Sequence, residues 1–232
     1  MKKYKFDEIE PYFLKKIVNV RKLLDSGYRF EAAIISLCYI DALSGLFMKG
    51  VGTKQRFVNL IFLHGVVDNF RWDKVNLAEF KKIDTEEDLK SKECPTCYEK
   101  VKQYIEKNIC QYEYSSSTQC REKDKSLPDV IKDIRVFSDG NLCKCNIISK
   151  ALLKCLKDST YGGILYNKYR CEGVHRGKFD ELWDSLSHHF DGPFYVSIED
   201  SLPDFSIPPE FIIKTFEQCM VGLKKWECDD TG

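Results

Sequence analysis

The sequence predicts an all-α protein, an antiparallel helical bundle with a surface insertion and one short extended segment near its C-terminus. Three observations predict it. Apolar residues recur at spacings of three and four through most of the long segments, which is the period of a helix with one buried face. Residues 28–48 are apolar almost all round, as the buried centre of a bundle is. The breaks between periodic segments fall at glycine, proline and serine.

The first helix is expected over residues 8–25, where Ile9, Phe13, Ile17, Val20 and Leu24 form one face and Pro11 sits in the first turn. Ser26-Gly27 ends it. Residues 28–48 form the second, interrupted by Glu31 and Asp41. A buried acid needs a partner. Asp41 either pairs with a cation, Arg56 or Arg170 (for which Glu172 is the other candidate carboxylate), or belongs to a polar site, and Ser44 follows it on the same face. After a Gly50–Thr53 turn, with Thr53 as N-cap, residues 54–70 form a third helix carrying His64.

Residues 71–128 change character, with charges of both signs crowded together and a Ser/Thr-rich loop after Tyr114. They are expected as an insertion in a single domain spanning 1–232, with one helix from Pro95 to Asn108. Helices follow over 129–138, 145–158 and 178–190, then a short extended segment from Phe194 to Ile198, then a last helix over 208–226 begun by two prolines.

Composition narrows the function. Among 232 residues, 36 Lys and Arg balance 36 Asp and Glu, so the net charge is zero. A protein that coats nucleic acid would be basic, whereas one acting at a confined site needs only local positive charge. The N-terminus has no apolar run of a signal peptide, and no stretch reads as a membrane span. The eleven cysteines are odd in number and partly inside apolar helical runs, which suits a reducing compartment and a cytoplasmic location. Cys94 and Cys97 have the C-x2-C spacing of a zinc site, but no second pair completes a standard ribbon, so no metal is favoured.

The richest chemistry lies in Tyr161–Gly177, YGGILYNKYRCEGVHRG. Arg170 offers a fixed charge and a fork of donors that fits a phosphate. His175 can take and return a proton near neutrality. Five residues turn an ideal helix about 140° past alignment, so the two converge only where the helix loosens or ends. Gly173 and Gly177 are placed for that. Arg176 and Lys178 either add phosphate contacts or form a solvated helix end, and Tyr166 and Tyr169, at helical spacing, suit core packing more than base stacking.

Arg170-Cys171-Glu172-Gly173-Val174-His175, late in a helical chain, resembles the R-x4-6-H motif of HEPN-domain proteins. The resemblance covers the helical segments around 8–70 and 147–190. Active members often carry Asn, Asp or His after the arginine, where this chain has Cys171. The resemblance implies a metal-independent endoribonuclease without cofactor, in a toxin–antitoxin or antiviral setting. It implies Arg170 and His175 as catalytic residues, an RNA substrate, a homodimer and an antitoxin or regulator, and the polar-site reading of Asp41 then makes it a helper of that pair. The alternative is a non-catalytic HEPN-like module that binds RNA, nucleotide or a protein partner through the same groove.

Overall fold

The structure, a computed structural model, describes residues 5–48, 52–83, 95–109, 121–137, 150–177, 187, 189–196 and 204–230. It is mostly helical with one small two-stranded sheet. The chain divides into two compact units, one drawn from Met1–Trp72, Ile164–Pro193 and Ile207–Gly232, the other from Asp73–Gly163 and Phe194–Ser206.

In the first unit, helices α1 (Phe6–Asp25), α2 (Arg29–Phe47), α3 (Thr53–His64) and α10 (Pro209–Asp230) pack together, with α2 touching each of the other three. Helix α1 buries Phe6, Phe13, Ile17 and Val20, the i, i+7, i+11, i+14 stripe that a single helical face predicts. It begins two residues before the expected start, so Pro11 lies in its second turn rather than its first. The Phe6 N–H, one of the orphan donors of the helix start, is taken by Glu227 Oε2 of α10 at 2.7 Å. Ser26 caps the end, and Gly27 follows in the left-handed region at φ +86°.

Helix α10 runs antiparallel to α1, because Glu10 pairs with Lys224 at 2.8 Å and Arg21 with Glu217 at 2.5 Å. These exposed pairs set register more than stability. Stability comes from the apolar layer beneath, where Leu37, Ile40, Leu43, Leu60, Ile212 and Phe216 are each fully buried. Each such side chain contributes about 1.5–3 kcal/mol.

Helix α2 is less uniformly buried than its composition suggests. Leu37, Ile40 and Leu43 face the core, but Glu31, Cys38, Ala42 and Gly45 are exposed. Glu31 therefore needs no buried partner. Contrary to the sequence expectation, α2 is long and apolar enough to cross a membrane by length and composition; in this fold it packs on α1, α3 and α10.

Helix α3 ends at His64, six residues before the expected limit. The Gly65 N–H bonds back to the Ile61 carbonyl at 2.9 Å, and the chain turns at Asp68 (φ 48°) and Asn69 (φ 63°). Asp and Asn tolerate this left-handed backbone better than other non-glycine residues. The turn is closed by a Phe70 N–H bond to the Val67 carbonyl at 2.7 Å. Trp72, 1% exposed, then donates its indole N–H to the Gly65 carbonyl at 2.7 Å.

The second unit holds α4 (Leu77–Ile83), α5 (Pro95–Ile109), α6 (Leu127–Phe137), α7 (Lys150–Asp158) and the antiparallel strands β1 (Phe194–Val196) and β2 (Asp204–Ser206), paired Tyr195 opposite Phe205. Its core gathers Leu77, Phe80, Val101, Tyr104, Ile105, Val130, Ile134, Leu152 and Leu156. Helix α6 starts two residues early because Ser126 caps it, with Ser126 Oγ accepting the Asp129 N–H at 3.3 Å and donating to the Asp129 carboxylate. The Tyr161 and Tyr195 hydroxyls both donate to Asp124, a carboxylate only 3% exposed. Two donors offset the cost of burying that acid. At Gly163 the chain passes so close to α7 that a Cβ would stand 2.3 Å from the Lys157 carbonyl oxygen, so only glycine fits. Neither α4 nor β2 was expected from sequence, and the helix expected over 178–190 lies almost wholly outside the described residues.

Candidate functional site

Tyr161–Gly177 forms three helical pieces in the structure: α8 (Tyr161–Ile164), a π-helix (Leu165–Glu172) and α9 (Gly173–Arg176). The joints keep right-handed helical backbone, with Ile164 at φ −62°, ψ −46° and Gly173 at φ −57°, ψ −44°. Gly177 ends the run in the left-handed region at φ +66°, and its N–H bonds to the Gly173 carbonyl at 3.0 Å. This is the glycine stop the sequence predicts.

The π-helix is anchored on one side. Leu165 and Tyr169 are buried, and the Tyr169 hydroxyl oxygen accepts the Ile207 N–H at 3.0 Å. On the other side it packs against α2 and α3. Its backbone bonds run i→i+5, and such turns are frequent at functional sites. Burial, then the neighbouring Cys171 thiol, raise the Tyr166 phenol pKa. The Tyr166 ring meets Phe57 of α3 edge-on at 5.2 Å between centroids.

Arg170 turns toward α2. Its Nη2 and Nε both donate to Asp41 Oδ2, at 2.8 and 3.3 Å. The two side chains are 23% and 16% exposed, so this pair is partly desolvated. Asp41 thus pairs with Arg170 rather than Arg56, while Ser44 Oγ donates to the backbone carbonyl of Asp41 and not to its carboxylate. Both Arg170 donors fall on one carboxylate oxygen, along one edge of the guanidinium. Among the described residues, no hydrogen bond falls on Arg170 Nη1.

The electrostatics are consistent with that geometry. Burial acts to lower the Arg170 pKa, but the bond to Asp41 and its charge, helped by Cys38 and Tyr166, outweigh it and hold the pKa above the ordinary value. Cys38 is exposed as a residue, yet partial desolvation pushes its thiol up, with Arg170 pulling it down and Asp41 pushing it up. Burial, then Cys171 and Asp41, raise the Tyr166 phenol against an opposing pull from Arg170. Five polar or titratable side chains therefore share one neighbourhood: Cys38, Asp41, Tyr166, Arg170 and Cys171.

His175 stands apart from this group. It is exposed on α9, and among the described residues it makes no hydrogen bond or ion pair. The fold thus brings Asp41 to Arg170 and leaves His175 facing solvent one turn further on. Arg176, also exposed, pairs with Glu172 at 3.2 Å, so Glu172 serves Arg176 and not Arg170. Lys178 and Cys94 lie outside the described residues, as does the side chain of Cys97. Among the described residues, no cluster of three or more His, Cys, Asp or Glu could hold a metal ion.

Sequence reasoning gave Cys38 no part in the site and favoured core packing over base stacking for Tyr166. The spacing held a usable signal: Cys38 precedes Asp41 by three residues and Tyr166 precedes Arg170 by four, the two neighbour spacings of a helix. No family model, curated protein or solved structure matches the chain.

Proposed function

We propose that this protein is a HEPN-like, metal-independent endoribonuclease that cleaves RNA through attack of the ribose 2′-hydroxyl, in a toxin–antitoxin or antiviral setting. The observation that carries the proposal is the way Asp41 grips one edge of Arg170 and leaves the Nη1 edge for a phosphate, with His175 exposed just beyond. An arginine fixed by a carboxylate is preorganised for charge that develops on phosphorus.

The chemistry follows from these groups. A base removes the 2′-hydroxyl proton, the oxygen attacks phosphorus, the bond from phosphorus to the 5′-oxygen breaks, and an acid protonates the departing oxygen. The products are a 2′,3′-cyclic phosphate and a 5′-hydroxyl. His175 serves as base or acid. One exposed histidine cannot do both in one step, so a second copy of the chain supplies the other, and the working form is a homodimer. Arg176 and Lys178 hold neighbouring phosphates.

A second reading has its own support. The Asp41 charge offsets that of Arg170, and Cys171 stands where active HEPN members often carry Asn, Asp or His. These favour a non-catalytic module that binds RNA, nucleotide or a protein partner. Expression separates the two. The enzyme predicts growth arrest and fragmented RNA from the wild type, both lost in His175→Ala at equal protein level. Equal growth and intact RNA in both strains would favour the binding module.

A further inference from the structure

Residues 11–24 of α1 carry Lys15, Lys16, Arg21 and Lys22 and no Asp or Glu, in a chain whose net charge is zero. Arg21 is neutralised by Glu217 of α10. Lys15 and Lys22 are exposed, and among the described residues no ion pair involves Lys15, Lys16 or Lys22. Tyr12, Lys15, Asn19 and Lys22 recur at spacings of three and four, so they form one exposed stripe about 15 Å long.

Lys16 is fixed beside this stripe by two rings. Its ammonium lies 4.7 Å from the centre of the Tyr12 ring and 5.8 Å from that of Tyr39 on α2. Tyr39 stacks on Phe216 at 5.7 Å and meets Phe13 edge-on at 6.1 Å, and both phenylalanines belong to the core. The rings thus hold a cation that no carboxylate neutralises, on a footing set by the core. Tyr12 differs from Tyr39. Phe13 meets it edge-on at 5.2 Å, yet Tyr12 is 56% exposed, so much of its ring is left to solvent beside the ammonium. Single-stranded nucleic acid is bound by this combination, a base on an aromatic face and a phosphate on a neighbouring cation.

We infer that this surface of α1 is a platform for single-stranded RNA, with one base stacked on Tyr12, the adjoining phosphate on Lys16, and further phosphates on Lys15 and Lys22. The platform rests on the RNA reading of this chain, whether that RNA is cleaved or only bound. A duplex keeps its base faces covered, so the strand is single. The way to Arg170 is open. On α2, Tyr39 and Asp41 point about 160° apart, and the exposed positions Cys38, Ala42 and Gly45 lie between them. A strand leaving the platform crosses that low ridge to reach the guanidinium. An anionic membrane is the less fitting partner. Leu14 lines an apolar groove with Met220 and Val221, on the side of α1 opposite Tyr12, whereas a membrane-seated helix carries its rings and its leucines on one face.

The test uses the full chain and a labelled single-stranded RNA pool with every 2′-hydroxyl methylated, which cannot be cleaved by this route. Tyr12→Ala is expected to bind about tenfold more weakly, the size of one base stacked on a ring, and Tyr12→Phe, which keeps the ring, within about twofold of wild type. Tyr12 is largely exposed, so both variants should melt as the wild type does. Lys16→Gln should lower the slope of log K against log salt by about 0.7, one phosphate of a single strand, whereas Tyr12→Ala should leave the slope as in the wild type. Binding to a duplex of the same composition should not depend on Tyr12.

Wild-type affinity in Tyr12→Ala, equal losses on single strand and duplex, or no binding of the single strand by the wild type would overturn the platform. So would Tyr12-dependent binding to phosphatidylserine vesicles in place of RNA. Cleavage of unmodified RNA is followed in parallel. Tyr12-dependent binding without cleavage would sink the enzyme and keep the platform. Cleavage that is indifferent to Tyr12→Ala would sink the platform and keep the enzyme.

Discussion

Replacing Asp41 by alanine tests the geometry of the site apart from its activity. Asp41 accepts two bonds from Arg170 on a single oxygen, at 2.8 and 3.3 Å. Removing one partner of an exposed pair costs about 0.2–1 kcal/mol, and of a buried one about 3–5 kcal/mol. With side chains 23% and 16% exposed, this pair stands between those limits. The longer bond adds little to the shorter, since both share an acceptor. A loss of about 2 kcal/mol follows, which in a chain of this size lowers the melting temperature by about 4–8 °C. Asp41→Asn keeps one acceptor and should lose about half as much.

The Asp41–Arg170 contribution should be flat on the arginine side across neutral pH. The raised Arg170 pKa gives stability that is complete below its unfolded value and lost only as pH rises through the folded one, far above the assay range. Urea unfolding of Asp41→Ala, Arg170→Ala and the double variant would give a coupling energy of about 1–2 kcal/mol. Additive losses, or an Asp41→Ala variant within about 0.3 kcal/mol of wild type, would refute the contact and the preorganised arginine with it.

Other substitutions probe the scaffold. Tyr169→Phe strips the partner from the buried Ile207 N–H and should cost about 1–3 kcal/mol in urea titrations, although the ring is retained. Gly163→Ala drives a Cβ into the backbone oxygens of Lys157 and Asp158, at 2.3 and 2.6 Å, and should cost about 3 kcal/mol or more; soluble yield and melting temperature would report it. Burial holds His64 below its ordinary pKa, so its contribution to stability is full above about pH 6.5 and falls as pH drops through its lower folded value. Melting temperatures from pH 7.5 to 5 should decline in the wild type and decline less in His64→Gln.

The helical scaffold was legible because its signal is local. The stripe from Phe13 to Val20, the Ser26-Gly27 stop and the Gly177 terminus each rest on residue types whose backbone preference is strong enough to read directly. The end of α3 was misread because Val66 and Val67 continue an apolar run, and the turn is made by Asp68 and Asn69, which bear left-handed backbone without a glycine to announce it. Helix α4 is only seven residues long, too short to show a period, and its cap, Asn76, reads equally well as a loop residue.

The site was partly legible. Asp41 stood out as an acid in an apolar helix, and Arg170 as a fixed charge late in the chain. Their contact spans 129 positions of sequence, and nothing local announces it. The π-helix was invisible for a different reason. The residue types of Leu165–Glu172 suit an α-helix as well as an i→i+5 register.

The most direct test of the central claim is the analysis of RNA ends after incubation of a mixed pool with purified protein in EDTA. Wild type should leave 2′,3′-cyclic phosphate and 5′-hydroxyl ends, and both Arg170→Ala and His175→Ala should leave the pool intact. Equal background from all three, with the wild type folded and dimeric, would contradict the ribonuclease. So would cleavage by the wild type that neither substitution reduces.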